Sequence, residues 1–240
     1  MSTTRGMSDR LAAIAAQVTP GKTVIDIGTD HAYLPIALVA DGTAPSAIAA
    51  DVKKGPLAIA ETNILKSGYA AKIRAVQSDG FQNIEVEGGE AAVIAGLGGA
   101  TMMGILSAGA GKVMKLSEII LEPQSRVPDV RKYLCRSGFS FVDEAMVTED
   151  GKFYPIMKVA YTGEKRLLTE AQALYGPLLL EKKDPVLLRY LEKETDGLAT
   201  IERGIEDAAN LLGMNEAREA ALVGIAGMAR IIQDALAYYL

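Results

Sequence analysis

The sequence predicts an α/β protein. Parallel strands with helices on both faces are closed at one edge by an antiparallel hairpin and followed by a helical, coiled-coil-like extension. Three observations predict it. Between about residues 22 and 121, short apolar runs alternate with amphipathic stretches at the spacing of crossover units. Two extended runs joined by Glu149-Asp150-Gly151 come next, and Asp-Gly between such runs is a hairpin signal. Beyond Gly163 no stretch reads as a strand, and apolar residues recur at three- and four-residue spacing.

Taken in order, a helix over about Ser8 to Gln17 opens on a Ser8 cap. Strand Thr23–Asp26 precedes a helix over 32–40, and strand Ala47–Asp51 precedes a helix over 55–66 that Gly68 ends. Strand Lys72–Val76 leads to Asp79-Gly80, and strand Ala91–Ala95 leads into a helix over 98–107. Strand Glu118–Leu121 then leads into a helix over 127–136. The hairpin runs are Phe139–Thr148 and Lys152–Tyr161. A parallel sheet finished by an antiparallel hairpin is the plan of a Rossmann-like class I methyltransferase, whereas a dinucleotide dehydrogenase continues with parallel strands. Helices over 168–183, 185–212 and 215–240 complete the chain, with Pro185 at a helix start and Gly213 near a helix end. Leu187, Leu188, Leu191, Leu198 and Ile201 form one apolar stripe, and Ile225, Met228, Ile231, Ile232 and Leu236 another. The expected division is a domain over 1–163 and a helical extension over 164–240.

Composition narrows the function. The chain has 240 residues, 49% of them hydrophobic, ample for a packed core. No run reads as long and apolar enough to span a bilayer, and no leader opens the chain, so the expected place is the cytoplasm and no membrane partner is expected. Met1 to Gly6 reads as a polar lead, with Met7 an equally good start to the folded part. A single cysteine, Cys135, excludes an intramolecular disulfide, and with a single histidine, His31, it excludes a cysteine- or histidine-built metal site. A net charge of −5 argues against a generic polyanion binder but leaves room for a local basic patch. Arg126, Arg131, Lys132 and Arg136 on one predicted helix are the candidates, with a solvated helix face as the plain alternative. Residues from 164 onward carry 9 basic and 13 acidic side chains, so the extension is not a basic arm.

Four features lie at predicted strand ends, where an open α/β sheet binds ligands. The first is Asp26-Ile27-Gly28-Thr29-Asp30-His31, in which Gly28 permits close backbone approach and helix-opening amides can hold an anion. The second is Asp51 with its neighbour Val52; a carboxylate here can accept both hydrogen bonds of a ribose diol. The third is Asp79-Gly80, where an acid can accept from an adenine amino group. The fourth is Ala95-Gly96-Leu97-Gly98-Gly99, a turn facing the reacting end of a cofactor. Each has a plainer reading, since Asp30 and Asp51 could cap helices and Gly98-Gly99 could serve packing. The ordered set at four successive strand ends favours a nucleotide cofactor. With no G-x-G-x-x-G and no phosphate-cradling loop, the cofactor lacks a pyrophosphate, which points to S-adenosylmethionine over NAD or ATP.

The run Asp26 to Pro35 (D-I-G-T-D-H-A-Y-L-P), with Gln77-Ser78-Asp79-Gly80, Ala95-Gly96-Leu97-Gly98-Gly99 and Glu122-Pro123-Gln124, resembles the bacterial TrmK family. The resemblance implies a tRNA (adenine-N1)-methyltransferase acting on the adenine at tRNA position 22. It is tight in the first domain and architectural in the extension. Members of the family commonly carry Gln-Pro-Asn or Gln-Pro-Gln where this chain has Glu122-Pro123-Gln124, which leaves the role of Glu122 open.

On that reading Asp26, Gly28, Thr29, His31, Asp51, Val52, Asp79, Gly80, Ala95 and Gly96 hold the cofactor. Asp30 is the catalytic candidate, because its turn points to the methionine end and a carboxylate there can accept a proton from the base. Gly98 and Gly99 leave room for the base, Gln124 bonds it or its sugar, and Arg126, Arg131 and Lys132 contact phosphates of the tRNA. The extension grips tRNA or forms a dimer contact, so the protein is a monomer or homodimer. The competing readings are a methyltransferase for a small molecule or protein, a nicotinamide-dependent oxidoreductase, and a non-catalytic module that keeps the pocket.

Overall fold

The computed structural model describes residues 7–240, so the polar lead at residues 1–6 lies outside the described residues. The chain divides into two compact units, with the boundary between Leu167 and Leu168. The sequence boundary at 163/164 falls four residues earlier.

The first unit is a seven-stranded sheet in the order β3-β2-β1-β4-β5-β7-β6. Its strands are β1 (Val24–Ile27), β2 (Ala47–Asp51), β3 (Ile73–Gln77), β4 (Ala91–Leu97), β5 (Glu118–Pro123), β6 (Phe139–Glu149) and β7 (Lys152–Tyr161). The first five pair in parallel, β7 lies antiparallel to β5, and β6 forms the outer edge by pairing with β7. The β6–β7 turn places Asp150 at φ 49° and Gly151 at φ 72°, with Glu149 opposite Lys152. Two positive φ values in a two-residue loop match the right-handed twist of the strands, which is why Asp-Gly specifies the hairpin.

The helices of this unit are α1 (Asp9–Ala16), α2 (Tyr33–Ala40), α3 (Lys54–Ser67), α4 (Gly99–Ala108), α5 (Ala110–Val113) and α6 (Val127–Arg136). The Ser8 hydroxyl accepts from the Leu11 N–H and caps α1. Gly68 ends α3 in the left-handed conformation at φ 80°. A core including Ile14, Val24, Leu38, Ile64, Val93 and Ile120 joins α1, α2 and α3 to the sheet. Strand β5 is buried at every residue, including a glutamate at its start and another near its end. The first, Glu118, accepts from the Thr19 N–H at 2.7 Å and the Thr19 hydroxyl at 2.6 Å, and pairs with Lys158 at 3.2 Å. These bonds fasten the loop after α1 to the middle of the sheet.

Arg131 departs from the sequence expectation. It has no exposed side-chain surface and pairs with Glu144, equally buried, at 2.9 Å. Spacing explains the error. Arg131 shares its helix face with Leu134 and Cys135, three and four residues on, and these face the core. A phosphate contact from this side chain is therefore ruled out.

The second unit contains α7 (Glu170–Tyr175), α8 (Pro177–Glu181), α9 (Pro185–Leu212) and α10 (Glu216–Leu236), with a closing 3₁₀ turn over Ala237–Tyr239. The single helix expected over 168–183 is broken at Gly176, whose φ is 98°, followed by Pro177, which has no N–H to give the preceding turn. Thr169 and Gln172 make a reciprocal capping box on α7, and Asp184 accepts from the Val186 and Leu187 amides at the start of α9. Tyr175 packs edge-on against Tyr190, and both hydroxyls donate to Glu194, at 2.8 and 2.7 Å. One expectation from composition is corrected here. Glu216–Tyr239 is long and apolar enough to cross a membrane by length and composition, with a mean hydropathy of 1.4 in its most apolar stretch. Arg230 and Asp234 lie in that stretch.

The buried pair yields the first prediction. Arg131→Ala removes the guanidinium that pairs with the buried Glu144 carboxylate and is expected to lower unfolding stability by about 3–5 kcal/mol in urea. Lys132→Ala, one residue on and half-exposed, is expected to stay within about 0.5 kcal/mol. A small loss for Arg131→Ala would mean that the pair is not what holds α6 against β6.

Candidate active site

The turn from β1 into α2 positions the acids. The Gly28 and Thr29 amides both donate to the Ala50 carbonyl, at 2.8 and 2.9 Å, and lock the end of β1 against β2. Gly28 has φ +78°, and a Cβ there would lie 3.4 Å from the Leu97 side chain, so conformation demands glycine and space is tight. His31 and Ala32 follow at φ 59° and 58°, a left-handed pair that side-chain-bearing residues rarely adopt. The Asn63 amide donates to the His31 carbonyl at 2.9 Å and braces that backbone. No side chain caps the start of α2.

This answers one question that the sequence left open. Asp30 is not a helix cap. Its side chain is 82% exposed and lies 2.9 Å from His31 Nε2. The imidazole in turn stacks on Tyr33, with ring centroids 5.6 Å apart.

Asp26 sits on the buried floor below. Burial pushes its carboxyl up to about 6, Asp51 adds to the rise, and the nearby Thr29 hydroxyl offsets part of it. Thr29 is itself 1% exposed, and its Oγ1 makes no hydrogen bond of good geometry among the described residues.

Two adjoining cavities open at these strand ends and share Gly28, Asp30 and Leu97. One, of about 400 Å³, brings together Asp51, Val52, Asp79, Gly80, Thr101 and Ile105. Asp51 spends one oxygen on the Lys53 N–H at 2.6 Å, a local turn bond. The Ser78 hydroxyl donates to the Gly80 carbonyl at 2.8 Å and fixes the turn after β3. The other cavity, of about 290 Å³, brings together Arg10, Asp26, Tyr33, Leu34, Ala95 and Gly96. A third, of about 560 Å³, shares Asp79, Thr101 and Ile105 and runs on along α4 and α5. It is roomier, but Asp26, Asp30 and Asp51 open into the first two and not into this one.

Glu122 ties together the turns that end β4 and β5. It has no exposed side-chain surface. Its Oε2 accepts from Arg10 Nη1 and from the Gly96 N–H, each at 2.9 Å, and its Oε1 accepts from the Gln124 amide. Burial raises its carboxyl above the ordinary range, and these donors pull the other way. Arg10 also pairs with Glu149 at 3.5 Å and stacks over Tyr154 at 5.2 Å. Gly96, at φ 75°, forms the irregularity where the β4–β5 register shifts.

The remaining expected residues divide. A Cβ on Gly99 would collide with the Ser125 carbonyl and press on Val130, so Gly99 serves close packing of α4 on the loop after β5. Gly98 faces the same loop, 3.4 Å from the Ser125 hydroxyl at its Cβ position. Gln124 is exposed, and its N–H donates to the Leu97 carbonyl at 2.9 Å. Arg126 is exposed and paired with Asp129 at 2.8 Å, Lys132 is half-buried, and Arg131 is inside. Arg10, Tyr33, Leu97, Thr101 and Ile105 line the cavities without having been expected. Tyr33 and Leu97 lie inside sequence motifs that gave them no role, whereas Arg10 on α1 and Thr101 and Ile105 on α4 fall outside every such motif.

The chain matches the model of the family described as TrmK, tRNA (adenine(22)-N(1))-methyltransferase, over residues 24–232. It belongs to the TrmK family. The tRNA (adenine(22)-N(1))-methyltransferase of Bacillus subtilis is 34% identical over 209 residues, 85% of this chain and 87% of the relative. A Streptococcus pneumoniae structure, described as a putative tRNA (m1A22) methyltransferase in complex with S-adenosyl-L-methionine, superposes with a TM-score of 0.79 at 32% identity. It covers 96% of this chain and 99% of that one. A Mycoplasma capricolum TrmK structure in complex with S-adenosyl-homocysteine gives a TM-score of 0.79 at 26% identity, over 97% and 98% of the two chains. These likenesses favour the tRNA reading over the small-molecule, protein and nicotinamide alternatives.

The floor of the site gives a pH prediction. With the Asp26 carboxyl near 6 against an ordinary 3.8, the stabilising form is the protonated one. Its contribution is full below about pH 4 and is lost as pH rises through about 6. In urea unfolding, the stability advantage of Asp26→Asn over the parent is expected to grow by ~1–3 kcal/mol from pH 4 to pH 7. A difference that stays constant with pH would mean that Asp26 titrates normally.

Proposed function

We infer that this protein transfers a methyl group from S-adenosyl-L-methionine to N1 of the adenine at position 22 of tRNA. One observation carries the reading: the family match spans a chain whose Asp26, Asp30 and Asp51 all open into adjoining cavities at the strand ends.

The residues present suit the cofactor. Thr29 Oγ1 is buried beside the cavity with no hydrogen bond of good geometry among the described residues, Gly28 lets the backbone come close, and Asp51 keeps an oxygen for a ribose diol. Asp51, Val52, Asp79 and Gly80 would hold the adenosine part, and Asp26, Thr29, His31, Ala95 and Gly96 the methionine part. The bound cofactor supplies an electrophilic methyl group with its own leaving group. The protein's work is then to align adenine N1 with that methyl and exclude other geometries. As N1 is alkylated, positive charge builds on the base and a proton must leave its exocyclic amine. Asp30, exposed at the mouth beside His31, is the proposed partner for that charge and acceptor of that proton. His31 orients it.

Reaching a base in a folded tRNA requires unstacking it, at a cost of a few kcal/mol. Arg126 and Lys132 are the proposed phosphate contacts, with Arg131 withdrawn. The α9–α10 pair is the proposed tRNA grip or dimer contact, in a monomer or homodimer. The cytoplasm, where unmodified tRNA is met, is the proposed location, with no membrane step and no metal.

The test is methyl transfer to unmodified tRNA followed by mapping of the modified nucleotide. The expected product is 1-methyladenosine at position 22, abolished when that nucleotide is replaced by guanosine. Methylation at another position, or of the guanosine-bearing tRNA, would contradict the reading.

A further inference from the structure

We propose that Glu122 is a positioning residue that fixes which end of the Gln124 amide meets the target base, and that Gln124 thereby selects for a 6-amino group. The proposal rests on the tRNA adenine reading above and deepens it.

A glutamine amide has a donating end and an accepting end, and free rotation would leave both available. Here one end is spoken for. Arg10 is always protonated, the Gly96 N–H can only donate, and both bond to Oε2 of Glu122 at 2.9 Å. The remaining oxygen of that buried carboxylate, Oε1, accepts from the Gln124 amide nitrogen. The amide carbonyl is left as the free end of an exposed side chain.

The position is also fixed. The Gln124 amide and the Gly96 amide share a single carboxylate, and Gly96 lines the cavity that contains Asp30. The Gln124 backbone is bonded to Leu97, which lines both cavities. Gln124 is therefore an acceptor held at the rim of the methyl-transfer site.

An acceptor at this place reads the base edge next to N1. Adenine presents a 6-amino donor there and guanine or hypoxanthine a 6-oxo acceptor, so an oriented carbonyl rewards the first and repels the others. A site built around one hydrogen bond rejects an analogue lacking it far more strongly than a methylene-sized change allows. Glu122 touches no part of the substrate and acts through Gln124.

The experiment uses the full chain and three synthetic tRNAs that differ at position 22: adenosine, purine riboside (no 6-amino group) and inosine. Single-turnover methylation is measured for the parent, Gln124→Ala and Glu122→Gln, together with affinity for each tRNA and for S-adenosylhomocysteine. Gln124→Ala removes an exposed side chain and is expected to fold normally. It is expected to slow the adenosine tRNA by about 10- to 100-fold and the purine tRNA by less than about threefold. Glu122→Gln frees the Gln124 amide to turn and is expected to shrink the adenosine-to-purine preference by about tenfold or more, with cofactor-product affinity within about threefold. Inosine at position 22 has to give up its N1 proton as the methyl arrives and is expected to remain the slowest tRNA. It is expected to gain binding affinity most from Glu122→Gln, because a turned amide offers its 6-oxo group a donor. Equal slowing of the adenosine and purine tRNAs in both variants would overturn the proposal. So would a tenfold loss of S-adenosylhomocysteine affinity in Glu122→Gln, which would place Glu122 on the cofactor side. A parent that fails to methylate the adenosine tRNA would instead overturn the underlying reading, and the proposal with it.

Discussion

The site depends on how the backbone leaves β1. Two amides bond to one carbonyl of β2, and the chain then passes through positive φ at Gly28, His31 and Ala32 before α2 begins. That path keeps Asp26 on the buried floor and throws Asp30 outward within five residues. Burial holds one acid largely protonated in weakly acidic solution, while the other stands in solvent beside an imidazole. Two carboxylates of one short turn thus acquire different chemistry from environment alone. An ordinary capped helix start would have spent Asp30 on backbone amides.

The second constraint comes from β5. A strand buried along its whole length carries Glu118 at its start and Glu122 near its end, and each is satisfied by groups from the segment around α1. Buried carboxylates without such partners would be costly, so the N-terminal segment is required where it lies. The Glu122 end also joins α1, the Gly96 irregularity and Gln124 through one side chain. Stability and the shape of the cavity lined by Arg10 and Gly96 therefore share an anchor.

Much of this was legible in the sequence, and the reasons are specific. β2, β7 and α6 fall where composition and punctuation put them, because Gly, Pro and Asp-Gly mark local backbone geometry that tertiary packing does not override. The four strand-end motifs were found for the same reason. Arg131 was misjudged because helical spacing alone does not say which face is buried, and its partner Glu144 lies on another element. The roles of Arg10 and Glu122 were invisible because these residues stand 112 positions apart and meet only through the sheet order. Gly176-Pro177 was a missed signal: the break in the first C-terminal helix was written in the sequence.

The part played by Asp30 is tested most directly by single-turnover methyl transfer in Asp30→Asn, measured beside its affinity for S-adenosylhomocysteine. The expected result is affinity within about threefold of the parent and transfer to tRNA slowed by at least about 100-fold, the range of a lost general base. Transfer at the parental rate would contradict a role in the reaction, and loss of cofactor-product binding would return Asp30 to the cofactor pocket.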